Sequence, residues 1–475
     1  MAIANDDVFF ASAAELNAGW RKGDYSCEEL TKAFVDRLER LGASHNALSL
    51  SLRGEALKKA KDVDGERKRE RFRGRLQGVP FGAKDLLAWP KHPTTWGAKP
   101  YADQVFEQPA TVLKKLDANG AVLVGKLAMI QLAGGGGYRY PKASLTGPCL
   151  NPWDKSKWAG GSSSGSGAAV AGGMVGFALG SETSGSILTP AAFCGVTGLR
   201  PSYGLVSRAG AMALSWTLDK VGPLARTAED CGIILEAISG GDSADPMSAD
   251  KGFFYTPQFA RSMKEYTVGY AKVDWEEWAE PETRRAFAAT LDVFRGLGVK
   301  LKEVELPDYP YGALVSTIIQ GESSSIFEEL ISSGKVDQLA DAKQAAGLKA
   351  AGDLPARDYL KAMRVRSLLQ IAFREFFYEL DMVIAPTRMG VASGIDVALD
   401  APRTAVPADR KRGMSGHVPA GNLAGLPALS MPCGFVGGLP IGVTLMGRAF
   451  TENALLAVGT LFQQKTDWHK KRPKI

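Results

Sequence analysis

The chain has 475 residues, 45% of them hydrophobic and 23% charged, with a formal net charge of +6. That balance belongs to an ordinary folded protein and excludes a disordered one, while 54 glycines and 25 prolines spread through many turns exclude a collagen-like repeat. The length has room for two or three domains, or for one large α/β unit.

Residues 1–16 show no basic region followed by an apolar run, so no secretory leader is expected. Ser26 with Glu29 three positions on is a capping-box signature, and Leu30, Phe34, Leu38 and Leu41 then recur at helical spacing. A short alternating run at 47–52 predicts a strand. Residues 58–75 mix many basic side chains with acids and lack aromatic interleaving, which predicts a solvated helix face rather than an RNA-contacting patch. Residues 76–84 predict a strand and turn ending at Lys84. A helix is predicted over 111–119, closed by Gly120, then a short strand at 121–124. A tight helix at 168–173 precedes a buried strand at 175–179. Helical periodicity returns at 228–238 and 359–380, and 381–386 and 428–432 read as late core strands. The intervening stretch at about 240–355 is more polar and less regular, a lobe or insertion beside the sheet. Alternating helices and strands without repeat or linker predict one α/β domain over 1–475.

Five scattered cysteines without C-x-x-C spacing argue against a disulfide framework and against a zinc site. Free buried thiols in a reducing compartment are the simpler account, so a cytoplasmic protein is expected. The longest apolar stretch, 168–179, is broken by Gly172, Gly173 and Gly176 and cannot span a bilayer.

Two serine- and glycine-rich runs carry the chemistry, GGSSSGSG at 160–167 and GSETSGSILTP at 180–190. A flexible linker would not need Trp153, Trp158 and an apolar helix as flanks, and neither run has a nucleotide-binding glycine pattern. Residues 161–165 match G-x-S-x-G around Ser163, a motif that needs a histidine base. The four histidines, His45, His92, His417 and His469, lie in unrelated segments. Residues 332–335 match S-x-x-K, a pattern chance supplies in a chain of this length.

One resemblance uses all the pieces. Gly160-Gly161-Ser162-Ser163, Ser186 at 24 positions after Ser162, and Lys84 within GVPFGAKD resemble the amidase signature family. AAFCGVTGLRPSYG (191–204), LDKVGPLARTAED (218–230), NLAGLPALSMPCGF (422–435), PIGVTLMG (440–447) and TDWH (466–469) extend the likeness over most of the chain. The resemblance implies an α/β/α fold with a large mixed central β-sheet flanked by helices. It implies that Ser186 attacks an amide carbonyl, that Ser162 (preceded by a cis peptide) relays the proton, and that Lys84 is the base. Backbone N–H groups of Thr183, Ser184, Gly185 and Ser186 would form the oxyanion hole, with Ser163 in support. The segment 131–137, including Gln131, Ala133, Gly134 and Gly135, would form part of the acyl-binding wall. Trp216 and His417 are weaker candidates for that wall, core packing or a solvated loop being the ordinary fate of such residues. The chain departs from the family pattern at Glu182, where an aspartate is frequent, and at Leu188, where an arginine is frequent.

The chemistry has its own demands. An amide needs a hydroxyl deprotonated as it attacks and a leaving amine protonated as it departs. Lys84 must therefore be neutral, and moving a lysine from about 10.4 to roughly 7 costs about 4–5 kcal/mol. Burial beside Val79, Phe81 and Leu86 is the expected cause. The expected activity is amide hydrolysis on a small-molecule amide without metal or cofactor, without nucleic acid or membrane, and with a homodimer left open. Of the two settings, a stand-alone amidase is expected over the glutaminase subunit of a tRNA-dependent amidotransferase. That subunit's usual arginine is missing at Leu188, and residues 357–377 lack its basic motif. A silent binding or scaffold protein is the third reading, and intact Lys84, Ser162 and Ser186 oppose it.

Overall fold

Serine caps start the fold. In the computed structural model, which describes residues 6–259, 261–400, 413–414 and 416–475, the helices Ala13–Lys22 and Cys27–Arg37 each begin with a complete capping box, Ser12 with Glu15 and Ser26 with Glu29. Each box satisfies orphan backbone N–H groups of a first turn and fixes where the apolar stripe begins. Leu30, Phe34, Leu38 and Leu41 then face inward as their spacing predicts.

Thirteen strands follow among the described residues. They are β1 (Leu48–Ser51), β2 (Pro80–Lys84), β3 (Val122–Leu127), β4 (Leu150–Asn151), β5 (Asp154–Trp158), β6 (Phe177–Glu182), β7 (Thr197–Arg200), β8 (Lys220–Ala225), β9 (Thr267–Tyr270), β10 (Lys300–Glu303), β11 (Met382–Pro386), β12 (Ala428–Val436) and β13 (Leu439–Gly447). Eleven form one sheet in the order β1-β3-β2-β6-β8-β7-β12-β13-β11-β9-β10, and β4 pairs with β5 apart from it. The sheet is mixed: β2 runs parallel to β3 and β6, and β6, β8, β7, β12, β13 and β11 alternate antiparallel. This is the α/β fold with a large mixed central sheet and flanking helices that the resemblance implies. The central strands β2, β3, β6, β7 and β8 are buried throughout, so they read as short apolar runs rather than alternating ones.

The serine- and glycine-rich run at 160–167 is no linker. Ser164–Ala171 is a helix with every residue buried. Its small residues let backbone approach backbone: a methyl on Gly165 would lie 2.5 Å from Ala128 N and Ala47 O, and one on Gly167 would lie 2.9 Å from Pro190 Cβ. The helix starts four residues before the predicted one because serine and glycine mask its true N-terminus. The following strand begins two residues late, at Phe177, where its ring stacks on Phe81 of β2 at 5.0 Å.

The stretch 240–355 supplies the helices Pro281–Leu297, Tyr311–Ile326, Glu328–Ser332 and Ala342–Ala351, the strand β9 and the edge strand β10. In the charged segment, Lys59 pairs with Asp117 at 2.6 Å, Lys61 with Glu28 at 3.3 Å and Arg75 with Glu236 at 2.9 Å, as a solvated face does. All five cysteines are free and buried. Among the described residues no helix is long and apolar enough to cross a membrane.

Candidate active site

Strand pairing brings four charged side chains to one end of the sheet. Lys84 ends β2 and Glu182 ends β6, its parallel neighbour. Lys220 opens the antiparallel β8 opposite Glu182, and Arg200 closes β7. Charges at strand ends escape the apolar middle of the sheet, yet all four are at most 2% exposed and so must find partners.

Lys84 finds hydroxyls. Its Nζ lies 2.7 Å from Ser162 Oγ, 2.9 Å from Ser181 Oγ and 3.5 Å from Ser181 O. The acid next to it in sequence, Asp85, is taken up elsewhere, by Lys126 at 2.9 Å and by the hydroxyls of Ser49 and Thr95. Burial therefore dominates and pulls the Lys84 ammonium down to about 7, against the opposing pull of Asp219 and Glu182. Val79, Phe81 and Leu86 are each buried to within 1% of full burial, as expected. The peptide bond Gly161–Ser162 is cis.

The loop carrying Ser186 is held from below by Glu182. Oε2 accepts from the N–H groups of Ile187 at 2.9 Å and Leu188 at 3.0 Å, while Oε1 accepts from Arg200 at 2.9 Å and Asn422 at 2.8 Å. Burial works against the Glu182 charge, but Arg200, Asn422 and the two N–H groups outweigh it and hold the carboxyl at about 2. Gly185 takes φ +90°, a left-handed turn that leaves Ser184 and Ser186 half-buried at the loop's surface. Ser163 joins both loops. Its Oγ donates to Ser181 O at 3.1 Å and accepts from Ser181 N at 3.2 Å, and its N–H donates to Ser186 O at 3.2 Å. Glu182→Ala should strand the Arg200 guanidinium in the core, costing about 3–5 kcal/mol. Urea unfolding that shows less than half of that loss would contradict this role.

Beside the loop, a cavity of about 310 Å³ is lined by Ser181, Thr183, Ala133 and Trp216 together with apolar groups such as Leu86, Met212 and Leu214. Thr183 Oγ1 donates to Asp219 at 2.5 Å, and the other oxygen of Asp219 accepts from the N–H groups of Leu214 and Ser215, which ties the loop to the cavity wall. Ala133 and Trp216 both line this cavity. Gln131, Gly134 and Gly135 do not line this cavity. The Gln131 amide instead donates to Gln344 at 2.8 Å and accepts from Ala340 N at 3.1 Å, pinning its loop to the helix Ala342–Ala351. Gly134 and Gly135 accommodate Tyr138 and Leu214 at close range. His417 opens the helix His417–Ala424, fully buried, with Nδ1 donating to Met414 O at 2.8 Å. Burial pulls its imidazole down to about 4. Ser163 is not placed as a G-x-S-x-G nucleophile, since backbone groups take up its hydroxyl. Ser332, Ser333 and Lys335 are exposed on the surface.

Sequence reasoning missed three residues here. Ser181 supplies two of the Lys84 contacts, and Asp219 anchors Thr183. Arg388 reaches in from the loop after β11 to Thr189. Ser181 lies in the run 180–190 and Asp219 in the segment 218–230, whereas Arg388 lies in no segment singled out from the sequence.

Known proteins match this chain along nearly its whole length. The family described as Amidase matches residues 29–456. One subunit of the glutamyl-tRNA(Gln) amidotransferase of Moorella thermoacetica is 34% identical over 493 residues, covering 99% of this chain and 99% of that protein. Among solved structures, a peptide amidase in complex with the competitive inhibitor chymostatin superposes with a TM-score of 0.84 at 27% identity, covering 98% of this chain and 99% of that one. A chain from a vestigial protein complex, described as revealing the evolutionary origins of an s-triazine catabolic enzyme, superposes with a TM-score of 0.86 at 26% identity, covering 98% of this chain and 100% of that one.

Proposed function

The chain belongs to the amidase family, and on that premise we propose that it hydrolyses a carboxamide through an acyl-enzyme on Ser186. The carrying observation is the buried Lys84 amine, drawn down to about 7 and 2.7 Å from Ser162 Oγ. A neutral amine has two N–H bonds and one lone pair. With its N–H bonds given to Ser181 Oγ and Ser181 O, the lone pair faces Ser162.

In the proposed reaction, Ser186 Oγ bonds to the amide carbon as its proton passes to Ser162 and the Ser162 proton passes to Lys84. The oxygen that gains charge is met by N–H groups of 183–186, which Gly185 turns toward one concavity. The C–N bond then breaks, the relay returns the proton to nitrogen, and ammonia or an amine leaves. Water attacks the ester by the same relay and frees the carboxylate. Because Lys84 must be neutral, kcat/KM should rise with pH through about 7 and level off above it.

The relatives favour one setting for this chemistry. They support the glutaminase subunit of a tRNA-dependent amidotransferase over the stand-alone enzyme expected from Leu188 and the segment 357–377. A turnover screen over primary amides, anilides, fatty amides, dipeptide amides and glutamine tests both. Ammonia release from glutamine that requires a copurified partner supports the subunit, and full turnover of a simple amide by the isolated chain supports the stand-alone enzyme. No hydrolysis of any amide in either state would refute the reading.

A further inference from the structure

In the hydrolysis proposed above, the amide carbon carries three groups that part in different directions. The oxygen goes to the N–H groups of 183–186, and the nitrogen goes toward Ser162, from which it takes its proton. The acyl chain takes the direction left over. The cavity beside the nucleophile loop is lined by Thr183 of that loop but by neither Ser162 nor Lys84. Of the three groups, the one such a cavity can receive is the acyl chain.

Its wall is largely apolar, with Leu86, Met212, Leu214, Trp216 and Val221 contributing. The four charged side chains that border it have partners inside the protein. Arg208 makes a two-pronged pair with Asp245, at 3.0 and 2.9 Å. Asp219 accepts from Thr183 Oγ1 and from the N–H groups of Leu214 and Ser215. Lys220 Nζ donates to Leu218 O, and burial pulls its ammonium well below the ordinary value. A charged acyl group would trade its water for a wall whose charges are already matched, whereas an alkyl chain or aryl ring gives up little on entry.

The backbone is strained at the same wall. Leu132 and Ala133 both take left-handed φ, +50° and +51°, which residues with a Cβ adopt at a cost. That turn sets Ala133 at the cavity, and Ala209, Ala211 and Ala213 keep its far side small. A volume of about 310 Å³ is roughly ten times the share of one water in the liquid, enough for a chain of six carbons.

We propose that this cavity is the acyl subsite, that it takes an uncharged apolar acyl group, and that Ala213 sets how long a group fits. This deepens the hydrolytic reading and rests on it.

The test is kcat/KM for acetamide, butanamide, pentanamide, hexanamide, glutamine and glutaramate, which is pentanamide with a carboxylate in place of its terminal methyl. The purified full chain is used, with any copurifying partner retained. The value should rise roughly fourfold per methylene from acetamide to hexanamide, the scale of burying each one. Pentanamide should exceed glutaramate by roughly 10-fold or more. Ala213→Phe should abolish the rise beyond butanamide and leave acetamide within about threefold of the parent, with Ala209→Phe as a second filled variant and a thermal melt to show that each folds. A flat series in the unmodified chain, or a preference for glutamine or glutaramate over hexanamide, overturns the inference. Equal losses on acetamide and hexanamide in a folded Ala213→Phe chain overturn the role of Ala213. Fluorophosphonate labelling of Ser186 with a flat series sinks the inference alone and leaves hydrolysis standing. Absence of both labelling and turnover removes the hydrolytic reading, and the inference with it.

Discussion

Ser186→Ala is expected to lower amide turnover by roughly 10⁴-fold or more, the scale seen when a serine nucleophile is removed from a concerted relay. Labelling by a fluorophosphonate probe should vanish with it. The fold should survive, because the contacts that hold this loop come from the backbone and from Glu182. Ser186 O still accepts from Ser163 N, and Glu182 still accepts from the N–H groups of Ile187 and Leu188. A melting temperature within a few degrees of the parent, together with lost labelling, is the expected pair of results. Undiminished labelling would mean that another hydroxyl is the nucleophile, and Ser184, half-buried on the same loop, would be the next to replace.

Lys84→Met should separate two classes of substrate. An amide needs its leaving nitrogen protonated, whereas an activated ester expels a good leaving group without help. The variant should therefore lose roughly 10²–10⁴-fold more on an amide than on its p-nitrophenyl ester counterpart. Equal losses on the two would deny Lys84 the relay. Stability gives an independent reading. A folded-state value near 7 against about 10.4 unfolded means that the folded chain resists protonating this lysine, which destabilises it by up to about 5 kcal/mol wherever the group is charged in both states. That burden is complete below pH 7 and fades as pH rises from 7 toward 10.4. Lys84→Met should accordingly gain more stability over the parent at pH 6 than at pH 9. A larger gain at pH 9 would contradict the lowered value.

Much of this was legible from residues alone, where the signal was local. The capping box at Ser26 and Glu29 marked its helix, and 228–238 reads as a helix in sequence and in structure alike. The resemblance implied that Lys84, Ser162 and Ser186 share one site, and the structure brings Lys84 to Ser162 and ties Ser163 to Ser186. Other features were hidden for physical reasons. Strand β10, Lys300–Glu303, has three exposed residues of four at a sheet edge, so no apolar period announces it. Asn422 meets Glu182 across 240 positions, and Arg388 meets Thr189 across 199. Pairings of that span leave no trace in a window of ten residues. Gln131 was placed by likeness in the acyl wall, and only the helix Ala342–Ala351 packed over it explains why its amide is occupied.

The helix Ser164–Ala171 has a consequence for how this protein can diversify. A helix with no face turned to water, and with backbone where side chains would otherwise go, admits almost no drift in sequence. New substrate preferences must then arise elsewhere, at positions whose side chains end in open space. Ala209, Ala211, Ala213 and Trp216 on the cavity wall are such positions. Libraries for altered substrate range belong there, since variation at 160–167 would mostly sample chains that do not fold.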